Sequence, residues 1–299
     1  MAMRCSDIQM RDPYVLPLPR EGRYLLFGTT DKNIWSGPGT GFDCYSSRDL
    51  VNWDGPIPAF RPPADFWSNT QFWAPECHVW KGRYYLFATF ARDGRQRGTQ
   101  ILAADKPEGP YLPHGDGPVT PRDWECLDGT LYVDSAGKPW MVFCHEWVQV
   151  GDGEMCAIPL SDDLRCAAGE PVLLFRASAA SWSHPFAQHL GPKNHVTDGP
   201  FLHRMTDGKL LMLWSTISVN GAYAMGYAVS DGGGIRGPWR QSVEPLFAED
   251  GGHGMIFRDF GGRLWMTLHR PNNSPDERPM WVEVKEADGG LTLSRGTGI

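Results

Sequence analysis

No stretch of this chain reaches the run of about 18 apolar residues that a membrane helix requires, and no membrane contact is expected. It also lacks excess positive charge. With 28 Lys and Arg against 35 Asp and Glu, the net charge of −7 leaves no basic face for a polyanion, which argues against a nucleic-acid partner. Cysteine is without pattern: the seven are odd in number and scattered, with no CxxC pair or ligand spacing. Cys44, Cys77, Cys144 and Cys156 fall inside apolar stretches, where a thiol behaves as a small buried hydrophobe. The first ten residues carry charge and no apolar core of a secretion signal. A reduced, cytoplasmic protein is therefore the expectation. Long amphipathic helical periodicity is absent as well, which disfavours alternating β/α folds.

What the chain does have is turn residues and aromatics: 35 Gly, 25 Pro and 13 Trp in 299 residues, a composition suited to many short strands. Five segments share a pattern of turn glycine, usually a basic residue, then alternating large apolar residues. They begin at Gly22, Gly82, Gly137, Gly208 and Gly262, which lie 60, 55, 71 and 54 residues apart. A short strand precedes each segment and another follows, with polar turn clusters such as Ser47-Arg48-Asp49 and Ser161-Asp162-Asp163 between. Strand, turn, strand, turn, strand, five times in one phase, predicts an all-β, five-bladed β-propeller spanning residues 1–299 as a single domain.

A propeller gathers its innermost strands around one axis. Counting back from each repeat glycine to the start of the preceding strand gives Asp12, Glu76, Asp128, Asp198 and His253. Acids are costly to bury unless paired, so such a ring points to chemistry rather than packing.

At Arg11-Asp12-Pro13-Tyr14, Trp73-Ala74-Pro75-Glu76, Leu127-Asp128-Gly129 and Thr197-Asp198-Gly199-Pro200, one set per blade, the sequence resembles glycoside hydrolase family 43. That family comprises five-bladed propellers, mostly arabinofuranosidases, β-xylosidases and arabinanases, and the likeness runs from Asp12 to about Trp281. It implies an inverting hydrolase with Asp12 as general base, Asp128 as the carboxylate that raises the acid's pKa, and Asp198 as general acid. The family's acid is a glutamate in Glu-Gly-Pro, whereas this chain has Asp198-Gly199-Pro200, one methylene shorter. Glu76 and Glu146 stand as alternative proton donors.

The resemblance also implies that His253 lies near a hydrated calcium or other cation on the axis; a hydrogen-bonded core histidine is the plainer reading. Trp73 and Phe42 are candidates for an aromatic sugar floor, or for core. Arg270 could bind a sugar hydroxyl or form a surface ion pair, and Glu146 could wall a subsite. The expected activity is removal of terminal α-L-arabinofuranosyl or β-D-xylosyl residues from short plant-derived oligosaccharides. An endo-arabinanase, a galactosidase and a non-hydrolytic carbohydrate-binding propeller are the alternatives.

Overall fold

The computed structural model of the protein describes residues 2–92, 95–186, 194–287 and 289–298. Among these residues, twenty strands form five antiparallel sheets of four, each built from consecutive strands. Blade 1 contains β1 (Arg11–Leu18), β2 (Arg23–Thr29), β3 (Phe42–Ser47) and β4 (Trp53–Phe60). Blade 2 contains β5 (Thr70–Trp80), β6 (Arg83–Arg92), β7 (Arg95–Ala104) and β8 (Leu112–Pro113). In blade 3 they are β9 (Cys126–Val133), β10 (Pro139–His145), β11 (Glu154–Pro159) and β12 (Val172–Arg176). Blade 4 has β13 (Asp198–Arg204), β14 (Leu210–Ile217), β15 (Tyr223–Ser230) and β16 (Trp239–Gln241). Blade 5 has β17 (Ile256–Arg258), β18 (Leu264–Arg270), β19 (Arg278–Ala287) and β20 (Gly290–Gly298). The predicted five-bladed propeller is the fold.

The repeat glycines occupy the turn between the first and second strands of each blade. All five take positive φ, from +61° at Gly22 to +86° at Gly208 and Gly262, where a Cβ would be strained. Large apolar residues then fill the seams between blades. Tyr85, Phe87, Phe143 and Ile158 pack between blades 2 and 3, while Leu211, Leu213, Met266 and Val284 pack between blades 4 and 5. Among the described residues no helix is long and apolar enough to cross a membrane.

The innermost strands share a second feature. At or just before its strand's axial end, one residue in each blade takes a left-handed conformation: Asp12 (φ +54°), Ala74 (+47°), Asp128 (+57°), Gly199 (+51°) and His253 (+48°). Such a conformation is costly for a residue other than glycine and persists only where its surroundings enforce it. Here neighbouring blades do so. Asp12 N–H donates to His269 Nδ1 at 3.2 Å and Ala74 N–H to Thr29 Oγ1 at 2.8 Å. Asp128 N–H donates to Thr89 Oγ1 at 2.8 Å and His253 N–H to Ser215 Oγ at 2.9 Å. In each case a second-strand side chain of the preceding blade pins the axial backbone of the next. This ring differs from the one counted from the repeat glycines. The position in blade 2 belongs to Ala74, two residues before Glu76, and that in blade 4 to Gly199, one residue after Asp198.

Candidate active site

Asp12, Asp128, Asp198 and His253 converge at the axial end of the ring, in the wall of one cavity of about 320 Å³. His253 Nδ1 is the hub: it lies 3.2 Å from Asp12 Oδ1, 3.5 Å from Asp128 Oδ2 and 3.7 Å from Asp198 Oδ1. Asp12 is held on its other oxygen by the Thr29 hydroxyl, which donates at 2.6 Å while accepting Ala74 N–H. Asp128 receives Gly199 N–H on Oδ2 at 3.1 Å, and Asp198 receives the Tyr223 hydroxyl on Oδ2 at 2.6 Å. Sitting one residue ahead of the ring position, Asp198 leaves about a quarter of its side chain open to the cavity, against 5% for Asp128.

Burial, then the charge and hydrogen bond of Asp198, then the charge of Asp12, push the Asp128 carboxyl well above the usual carboxylate range. Burial acts the same way on Asp198 but is outweighed by its hydrogen bond with Asp128, by His253, by the Tyr223 hydroxyl and by Arg11, so Asp198 lies below its ordinary value. The two acids therefore titrate as a hydrogen-bonded pair in which Asp128 holds the proton more tightly than Asp198.

The likeness to known proteins covers nearly all of this architecture. A profile described as Glycosyl hydrolases family 43 matches residues 7–299. The chain belongs to that family. The family is one of glycosidases, enzymes that hydrolyse O-glycosyl bonds in carbohydrates. An endo-arabinase structure from Bacteroides thetaiotaomicron VPI-5482 shares 41% identity and a TM-score of 0.89, covering 96% of this chain and 98% of that one. The extracellular exo-α-(1→5)-L-arabinofuranosidase ArbA of Cellvibrio japonicus (strain Ueda107) is 27% identical over 55% of this chain and 47% of its own length. The extracellular endo-α-(1→5)-L-arabinanase 1 of Bacillus subtilis (strain 168) is 25% identical over 38% of this chain and 40% of its own length. The chain therefore spans less than half the length of these two curated relatives.

The remaining residues singled out in the sequence of this family 43 chain separate into two sets. Trp73 lines the cavity: its indole N–H donates to Ile34 O at 2.7 Å, and Trp35 meets it edge-on at 5.5 Å. Glu146 also lines the cavity, paired with the Arg97 guanidinium, which stacks 4.7 Å from the Trp73 ring centre. The other three are elsewhere. Glu76 points away and pairs with His78 Nε2 at 3.0 Å, since it is two residues beyond the ring position. Phe42 is fully buried among Phe60, Phe72 and Phe90 and forms core. Arg270 lies on the surface, 3.1 Å from Glu249.

His269, one residue before Arg270, is the side chain that reaches the axis, because neighbours on a strand face opposite sides. It is fully buried, and burial first, then the charge of Arg11, hold its pKa down to about 3. It is therefore neutral, with Nδ1 accepting Asp12 N–H and Nε2–H donating to Asn272 Oδ1 at 3.2 Å. Strand alternation in Leu264–Arg270 carried that signal. Nothing in the sequence marked Tyr223 or Arg97.

One oxygen each from Asp128 and Asp198 and a ring nitrogen of His253 lie within 4.8 Å of one another and could hold a metal ion. Calcium takes six to eight oxygen ligands, so these three residues would supply a minority of its shell and do not select it. A cation there would neutralise the paired carboxylates, as the shared proton does without it.

Proposed function

We propose that the protein is an arabinan hydrolase that cleaves α-(1→5)-linked L-arabinofuranosyl chains internally, with inversion at the anomeric carbon. This places it with the endo-acting alternative rather than with the removal of terminal sugars expected from sequence. The observation that carries the reading is the 41% identity, over nearly the whole of both chains, to an endo-arabinase. The cavity rim agrees with it. Trp35 and Phe186 both line the cavity and remain 58% and 57% exposed, so apolar faces are open there for sugar rings to stack on.

In this mechanism Asp12 is the general base. Its oxygens are fixed by the Thr29 hydroxyl and beside His253, and it takes a proton from the attacking water. Asp198, the member of the acid pair open to the cavity, takes the pair's proton from Asp128 through their hydrogen bond and passes it to the departing sugar oxygen. The pair reprotonates from solvent as Asp12 releases the proton it gained. Inversion needs room for a water between base and sugar, with carboxyl groups roughly 6.5–9.5 Å apart. Asp12 in blade 1 and Asp198 in blade 4 are in non-adjacent blades. Glu146 is engaged by Arg97 and serves as a wall rather than as the donor.

Linear arabinan digested by the purified protein tests the reading. Early products should be a spread of short oligosaccharides, and Asp12→Asn should lower turnover by at least about a hundredfold. Arabinose as the sole early product would sink the endo assignment, and no release from arabinan or its oligomers would sink the choice of sugar.

A further inference from the structure

Five second-strand residues lie opposite the strand-end residues Arg11, Trp73, Leu127, Asp198 and Gly252. They are Thr29, Thr89, Cys144, Ser215 and His269. Four carry a strong acceptor, and each takes the N–H of the left-handed residue in the following blade. Blade 3 alone has a thiol there. Sulfur is a weak acceptor. The N–H that the pattern assigns to Cys144 is that of Gly199, and it goes instead to Asp128 Oδ2 at 3.1 Å.

We propose that Cys144 is a positioning residue. By not accepting the Gly199 N–H, it leaves that donor to Asp128 and so fixes the carboxyl that faces Asp198. Asp128 is then anchored at both ends: its own N–H rests on Thr89 Oγ1, and its Oδ2 is held from blade 4. Gly199 is suited to this. Its φ is +51°, and a Cβ there would lie 2.7 Å from the His253 ring, so this backbone comes close to both groups. The competing account is that Cys144, fully buried beside Leu127, Val142 and Met155, only fills space.

The inference rests on Asp128 and Asp198 acting as the acid pair and not on the identity of the sugar. Cys144→Ser and Cys144→Thr restore the hydroxyl used in blades 1, 2 and 4, whereas Cys144→Ala offers no acceptor. If Cys144 sets the hydrogen bond, the hydroxyl variants should lose at least about tenfold in kcat with KM little changed, a barrier change of about 1.4 kcal/mol. Cys144→Ala should stay within about threefold of wild type. Crystal structures of the Ser and Ala variants read the contact directly, with thermal melts to show that each folds. In Cys144→Ser, Gly199 N–H should move to the introduced hydroxyl; in Cys144→Ala it should remain on Asp128.

An N–H that stays on Asp128 in Cys144→Ser overturns the proposal, as does a Cys144→Ala enzyme slower than Cys144→Ser. A moved N–H with unchanged kcat overturns it equally. Kinetics use whichever glycoside the wild type turns over. The structures are decisive even if arabinan is not that substrate, which separates failure of this inference from failure of the arabinanase reading.

Discussion

Asp128 and His269 are both buried next to Asp12, yet burial moves them in opposite directions on the pH axis. Asp128 is held well above the roughly 3.9 at which an aspartate ionises in an unfolded chain. The folded state therefore binds that proton more tightly, and Asp128's contribution to stability is present below about 3.9 and lost as pH rises through the elevated value. His269, depressed to about 3 against about 6.5 unfolded, contributes stability above 6.5 that is lost as pH falls towards 3. Asp128→Asn keeps the shape and removes the titration. It should abolish most activity yet melt a few degrees above wild type at pH 8, with the advantage shrinking towards pH 4.5. A variant that melts below wild type at pH 8 would mean that the Asp128 carboxylate stabilises the fold. Single residues are the least legible scale in the sequence. Asp12, Asp128 and His253 stand out because they fall where a strand meets the axis. Phe42 and Arg270 mislead because one strand position decides whether a side chain meets core, axis or solvent.

At the scale of strands, the inner three of each blade are readable because alternation and a turn glycine announce them. Two of the outermost are not. Leu112–Pro113 is two residues long and exposed, and Trp239–Gln241 has three residues, too short for a period to register. The strand-end irregularity is equally hidden, since no residue type marks it: aspartate, alanine, glycine and histidine all occupy it. Ala74 shows that a Cβ tolerates this φ when neighbours permit. Two glycines should therefore respond differently to alanine. Gly137 sits in a hairpin turn with φ +74°, and a Cβ added there would meet nothing within 4 Å. Gly137→Ala should therefore cost about 1–2 kcal/mol and leave turnover intact. Gly199→Ala would press on the His253 ring at 2.7 Å and displace the hub of the acids, and turnover should drop at least about tenfold. Melting curves and kcat for the pair check this. Equal turnover in both would detach His253's position from catalysis.

For the whole molecule, each sheet is made of consecutive strands, so among the described residues no strand is shared between the first and last blades to close the ring. Packing and hydrogen bonds close it. Trp53 and Trp281 meet edge-on at 5.6 Å, Phe260 N–H donates to the Tyr24 hydroxyl at 2.8 Å, and the Thr267 hydroxyl donates to Pro13 O at 2.6 Å. The same seam carries the bond from Asp12 N–H to His269, and it separates Asp12 in blade 1 from His253 in blade 5. Opening it would dismantle the site while the other four seams remained packed, and local opening of this kind can precede global unfolding. Trp281→Ala removes a fully buried indole from the seam, at a cost of about 3–5 kcal/mol for a buried Trp. The variant should lose activity on heating several degrees before its far-ultraviolet circular dichroism melts, and its amides in β1 and β18 should exchange faster than those in β10 and β14. In the wild type the two curves should lie closer together. Coincident loss of activity and secondary structure in Trp281→Ala, with uniform exchange across the blades, would show that the five blades unfold as one unit and that the seam is no weaker than the rest.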